Sequence, residues 1–132
     1  MIGLDTNVIV RYLVQDDVRQ ADKATKLIEK ECSVDAPGWV DQIVLCELVW
    51  VLESAYGYSR SLIADVLQQI LSSAELRVES PDQVRSAVRA FIEGTADFAD
   101  FLIGIRNRDQ GCSATVTFDK KAARFAAHRL IG

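Results

Sequence analysis

The chain has 132 residues, 49% of them hydrophobic and 26% charged, enough for one domain with a real core and too few for two ordinary ones. A formal charge of −4 excludes a uniformly basic nucleic-acid binder. The charge is uneven, however: residues 1–105 carry nine Lys/Arg against seventeen Asp/Glu, and residues 106–132 carry six against two, so the end of the chain either meets phosphates that the rest repels or is an ordinary solvated helix face.

The opening MIGLDTNVIV has no basic flank and holds an aspartate, so it is neither a signal peptide nor a membrane span, and a cytoplasmic protein is expected. MIGL reads as a short buried strand ending at Asp5. After Asp16 and Asp17, residues 18–31 place Ala21, Ala24, Leu27 and Ile28 at helical spacing. CSVDA reads as a second strand, residues 39–56 as a long helix, and residues 59–73 as another after the Tyr56-Gly57-Tyr58 break. ELRVE reads as a third strand. Ser80 is a natural N-cap and Pro81 a natural first position for a helix over 82–93. A helix over about 98–109, the strand SATVTF and a helix over about 119–128 complete the chain. Short apolar strands separated by helices predict a single α/β domain over residues 1–132 with a mainly parallel sheet. Cys32, Cys46 and Cys112 lack metal-ligand spacing and read as buried reduced thiols.

In open parallel sheets, ligands bind beyond the carboxyl ends of the strands. Asp5 follows the first strand and Asp119 follows ATVTF, so both arrive at that edge, although an Asp there also serves as a helix N-cap. A helical wheel for WVDQIVLCELVWVLESAY sets Glu47 between Ile43 and Val40, on the side expected to be buried. No basic residue lies between Lys30 and Arg60 to pair with it. In GTADFADFLIG, Asp97 fits a helix cap with Asp100 at the third helical position. The cap accounts for Asp97 but not for Asp100, which shares its face with Ile103, Gly104 and Asn107. Asp5, Glu47, Asp100 and Asp119, with Asp97 nearby, thus point to one place. Two charges about 4 Å apart repel by about 4 kcal/mol at an effective dielectric near 20. Such a set needs protons or a cation, and all-oxygen coordination selects Mg²⁺ or Mn²⁺ over zinc. Carboxylates with open positions for water suit phosphoryl chemistry.

Taken together, MIGLDTNVIVRYL, the Glu of LCELVWVL, DFADFLIG and VTFDKKA resemble the PIN domain, and more narrowly the VapC toxins of bacterial toxin–antitoxin pairs. The match runs nearly end to end and keeps the acids in order. The resemblance implies a three-layer α/β/α sandwich and a metal-dependent endoribonuclease. It puts the metal-binding acids at Asp5, Glu47, Asp100 and Asp119, with Asp97 as an additional acid and Thr6, Asn7 and Thr117 as supporting polar residues. It also implies homodimers and a small DNA-binding antitoxin whose C-terminal segment covers the active site. Arg11, Lys120 and Lys121, the basic residues nearest the motifs, are candidates for RNA phosphate contacts. Hydrolysis would leave a 5′-phosphate and a 3′-hydroxyl and needs no histidine, in keeping with a single His128, read as a surface or helix-end residue remote from the motifs.

Two other classes compete. A haloacid-dehalogenase-type phosphatase also starts from a strand and an Asp but needs a second acid two residues on, where Asn7 stands; a receiver domain needs an acceptor Asp at a mid-chain strand end. A PIN fold that only binds partners typically loses metal acids, whereas all four are present here.

Overall fold

The computed structural model describes residues 1–132, and the chain divides into two compact units, Met1–Pro81 and Asp82–Gly132. In the first, the element order is β1 (Ile2–Gly3), α1 (Thr6–Val14), α2 (Val18–Glu31), β2 (Gly38–Val40), α3 (Gln42–Ser54), α4 (Arg60–Ser72) and β3 (Leu76–Val78). Three of these helices begin where a short polar side chain accepts a backbone N–H that the first turn leaves unpaired. Asp17 accepts from Gln20, Asp41 from Val44 and Ser59 from Leu62, at 3.0, 2.8 and 3.2 Å. The strands form one parallel sheet in the order β1-β2-β3, with Ile2 opposite Gly38 and Gly38 opposite Leu76. Gly38 has no space for a side chain: a Cβ there would stand 2.7 Å from Leu4 Cδ1.

A polar clamp holds the α1–α2 corner. Arg11 donates to Gln20 at 2.6 Å, Asp16 at 3.0 Å and the Tyr56 hydroxyl at 3.2 Å, and Tyr56 donates to Asp16 at 2.8 Å. The guanidinium is thereby engaged on three sides.

The second unit contains α5 (Pro81–Glu93, entering from the end of the first), α6 (Phe98–Asp109), β4 (Thr115–Thr117), a 3-10 turn (Ala122–Arg124) and β5 (His128–Leu130). β4 and β5 pair in parallel, with Thr115 opposite His128. The core is aromatic: Phe91 meets Phe98 edge-on at 6.0 Å and Phe101 meets Phe125 at 5.1 Å, packings favoured by the ring quadrupoles.

The mixed α/β class with parallel strands agrees with the sequence, and α2, α4, α5 and α6 lie where their apolar spacing and breaks place them. Several local expectations do not hold. The strand expected at CSVDA lies further on, at Gly38–Val40, so the long helix starts at Gln42. α1 occupies residues to which no element was assigned. The helix expected over 119–128 is a single 3-10 turn followed by β5, because strand pairing with β4 overrides the helix propensity of an alanine-rich run. Ser80 adopts φ 45°, in the left-handed region, instead of the extended conformation of an N-cap. Of the cysteines only Cys32 is buried; Cys112 is exposed.

His128 is not a surface residue. Only 9% of it is exposed, and it packs against Phe125 and Gly104. A Cβ on Gly104 would lie 2.5 Å from His128 Cε1. Gly104→Ala gains up to about 1 kcal/mol of helix propensity but incurs about 1–3 kcal/mol of overpacking. A thermal melt should therefore show a Tm lower by several degrees; an unchanged or raised Tm would mean that the ring moves aside freely.

Candidate active site

Each strand of the three-stranded sheet is followed by an acid at its carboxyl end: Asp5, Asp41 and Glu79. Two of the three serve helix α3. Asp41 caps it, while Glu79 accepts from Gln42 N at 2.9 Å and its backbone oxygen accepts from Gln42 Nε2 at 3.2 Å. Asp5 differs. It stands at the N-cap of α1 with extended dihedrals, φ −77° and ψ 158°, yet its side chain makes no cap hydrogen bond. The helix start relies instead on its backbone oxygen, which accepts from Val8 and Ile9. The exposed carboxylate is thus left for a partner other than the helix. Thr6 is buried, and no protein group pairs with its hydroxyl oxygen. Asn7 is exposed on the same turn and lines a cleft with Arg11, Gln20 and Lys23.

Glu47 departs from expectation. It is exposed, on a face of α3 with Ile43 and Trp50, which are 68% and 70% exposed. The helix buries Val44, Leu45, Leu48, Val49 and Leu52 instead. The wheel erred because apolar residues surround almost the whole helix, and because Val40, used to mark the buried side, belongs to β2.

In the second unit Asp97 stands at the N-cap of α6, again with no side-chain cap bond. Its backbone oxygen accepts from Asp100 N at 3.0 Å, so the capping role expected of its carboxylate is not taken up. Asp100 lies in the first turn of α6, half-buried. Burial, then the negative charges of Asp97 and Asp119, push its carboxyl above the usual carboxylate range. His128 acts weakly in the opposite direction. The three acids are therefore within electrostatic reach of one another. The ion pairs Arg11–Asp16, Lys26–Asp22 and Arg85–Asp82 involve none of them.

Asp119 is fixed by its own turn. One carboxylate oxygen accepts from Lys121 N at 2.8 Å and Ala122 N at 3.1 Å, and its backbone N–H donates to Thr117 Oγ1 at 3.0 Å. Thr117 thus supports Asp119 directly. The second carboxylate oxygen remains for another partner. An open cleft of about 480 Å³ is lined by Ala96, Asp97, Phe118, Asp119, Lys120 and Lys121. Sequence reasoning missed two residues here. His128 was hidden by the helix expected over its segment, and Phe118 by its place in what reads as a buried strand.

The donor set is all carboxylate oxygen, which suits a hard divalent cation. A dication would offset the repulsion that raises Asp100. No three His, Cys, Asp or Glu side chains form a preassembled metal cage. Mg²⁺ does not require one, since it keeps several waters and commonly takes only one or two carboxylates from the protein. No helix is long and apolar enough to cross a membrane.

Comparison with known proteins agrees with the motifs. The PIN domain family model matches residues 2–128. A VapC ribonuclease of Aquifex aeolicus (strain VF5) is 25% identical over 118 residues, covering 89% of this chain and 87% of that protein.

Proposed function

The chain belongs to the PIN domain family, and from that premise we propose that it is a Mg²⁺-dependent endoribonuclease, the toxin of a toxin–antitoxin pair. The observation that carries this reading is the acidic group Asp97, Asp100 and Asp119, in which Asp100 is held above its ordinary pKa by burial and like charge. Such an arrangement costs stability in the fold and gains a purpose when a cation is bound. The similarity to a VapC ribonuclease supports RNA as the substrate, and a small DNA-binding antitoxin as the partner is part of the same proposal. A homodimer in the cytoplasm and a single nuclease domain over 1–132 belong to the same proposal.

The proposed metal-binding acids are Asp5, Glu47, Asp97, Asp100 and Asp119. Bound Mg²⁺, or Mn²⁺ in its place, supplies an activated water and neutralises charge developing on the phosphate. Asp5 and Asp97 bring carboxylates that their helices do not use. Asp119 is held in one orientation by two backbone N–H groups, so its second oxygen is presented without further loss of freedom. Lys120 and Lys121, exposed beside it, draw in phosphates. A PIN fold that only binds partners would have no use for uncapped acids at two helix starts.

The test is incubation of the purified protein with unpaired RNA in Mg²⁺ or Mn²⁺ and in excess EDTA. Cleavage should require the metal, return on its re-addition, and leave 5′-phosphate ends. Full activity in EDTA would overturn the metal mechanism, and no cleavage of any RNA would overturn the nuclease reading.

A further inference from the structure

Phe118 is 78% exposed, although burying a phenylalanine typically stabilises a fold by about tenfold or more in its equilibrium constant. Its backbone is nevertheless held firmly. On one side Thr117 pairs with Leu130 and its backbone oxygen accepts from Ile131 at 2.9 Å. On the other side Asp119 is fixed by the hydrogen bonds of its turn. None of the ring pairs of the chain involves Phe118, and the terminal Gly132 is near one edge of its ring. The ring is therefore an apolar face on a rigid mount, in the same cleft as Asp97, Asp119, Lys120 and Lys121.

The charged surroundings select the occupant. An apolar protein surface settling on Phe118 would have to strip water from two carboxylates and two ammonium groups, which is costly without matched partners. A nucleotide presents what the cleft lacks: a flat base for the ring and an anionic phosphate for the lysines. We propose that Phe118 is a stacking platform for an unpaired nucleobase, which positions the adjoining phosphate at the Asp97–Asp119 side of the cleft while Lys120 and Lys121 hold the strand. The inference rests on the ribonuclease reading and adds to it a determinant of strand preference: a base already stacked in a duplex cannot lie on the ring.

The experiment uses the full chain carrying Asp5→Asn, so that RNA remains intact, in Mg²⁺. Fluorescence anisotropy is measured with a labelled unpaired RNA of mixed sequence and with its duplex. Phe118→Ala should weaken binding of the unpaired strand about tenfold or more, leave duplex binding unchanged, and so erase the preference; Phe118→Trp should restore it. Because stacking releases no counterions, the salt slope should stay the same in Phe118→Ala and fall in the Lys120→Ala, Lys121→Ala double variant. Equal affinity of parent and Phe118→Ala for the unpaired strand would overturn the platform. So would unchanged RNA affinity with a lower mass in sedimentation, which would assign the ring to contacts between copies. If the wild-type chain cuts RNA while Phe118→Ala is indistinguishable from its parent, the platform alone falls. If the wild type neither binds nor cuts RNA, the ribonuclease reading falls and the platform with it.

Discussion

Asp100→Asn is expected to slow RNA cleavage on the order of a thousandfold or more while leaving the circular dichroism spectrum unchanged. The asparagine is nearly isosteric, keeps its place in the first turn of α6, and loses only the charge. If that charge holds the cation responsible for activating water and stabilising the departing oxygen, several kcal/mol of transition-state stabilisation go with it, and about 1.4 kcal/mol corresponds to each factor of ten. Asp5→Asn and Asp119→Asn should match it. Asp97→Asn should cost less, about tenfold, because Asp97 stands exposed at the helix start whereas Asp100 is half-buried. Single-turnover rates on one unpaired RNA would rank the four variants. A ranking in which Asp100→Asn cuts at the wild-type rate would remove Asp100 from the site.

The second large effect concerns stability, and its sign follows from the direction of the Asp100 shift. Burial and then the charges of Asp97 and Asp119 raise the folded-state pKa above the unfolded value, near 3.9 for an aspartate. Between those two values the folded state binds more protons than the unfolded state, so the stability contributed by this group falls as pH rises through that window. At neutral pH the metal-free protein carries the full cost. Asp100→Asn should therefore raise Tm in EDTA at pH 7 and flatten the acid-side dependence of Tm. Mg²⁺ at a hundred times its Kd should stabilise wild type by about 2.7 kcal/mol, roughly 10 °C for a chain of this size, and stabilise the variant far less. Asp97→Asn loses no cap bond, since none exists, and should raise Tm by a smaller amount. A strongly lowered Tm for Asp100→Asn in EDTA, with equal protection of both proteins by Mg²⁺, would identify Asp100 as a structural acid.

Several helices were legible because their starts or breaks are written in a few adjacent residues: Asp17 before α2, the Tyr56-Gly57-Tyr58 break before α4 and Asp97 at the start of α6, although Asp97 makes no cap bond. Strands of two or three residues were harder to place. Gly38–Val40 is too short to show alternation, and its valine merges with the apolar run of α3. The ends of strands nevertheless identified Asp5 and Asp119 correctly as acids at carboxyl ends. Side-chain commitments were not legible. Whether an aspartate at a helix start caps that helix depends on a rotation about one bond, and Asp41 and Asp5 chose differently. Burial of Glu47 and exposure of His128 were both misjudged, since each depends on which face of an element meets its neighbours.

The two parallel sheets differ in how far along the chain their partners lie. β4 and β5 join Thr115 to His128, whereas the three-stranded sheet joins Ile2 to Gly38 and Gly38 to Leu76. Closing the longer loops costs about 1 kcal/mol more in chain entropy for each, and parallel pairing over such separations is intrinsically slow. The order of assembly follows: the β4–β5 pair, with Thr117 and Asp119 at its end, can form early from local contacts, and the sheet that presents Asp5 is the late event. A chain interrupted during folding would thus hold Thr117 and Asp119 in place before the strand end that carries Asp5 is ordered.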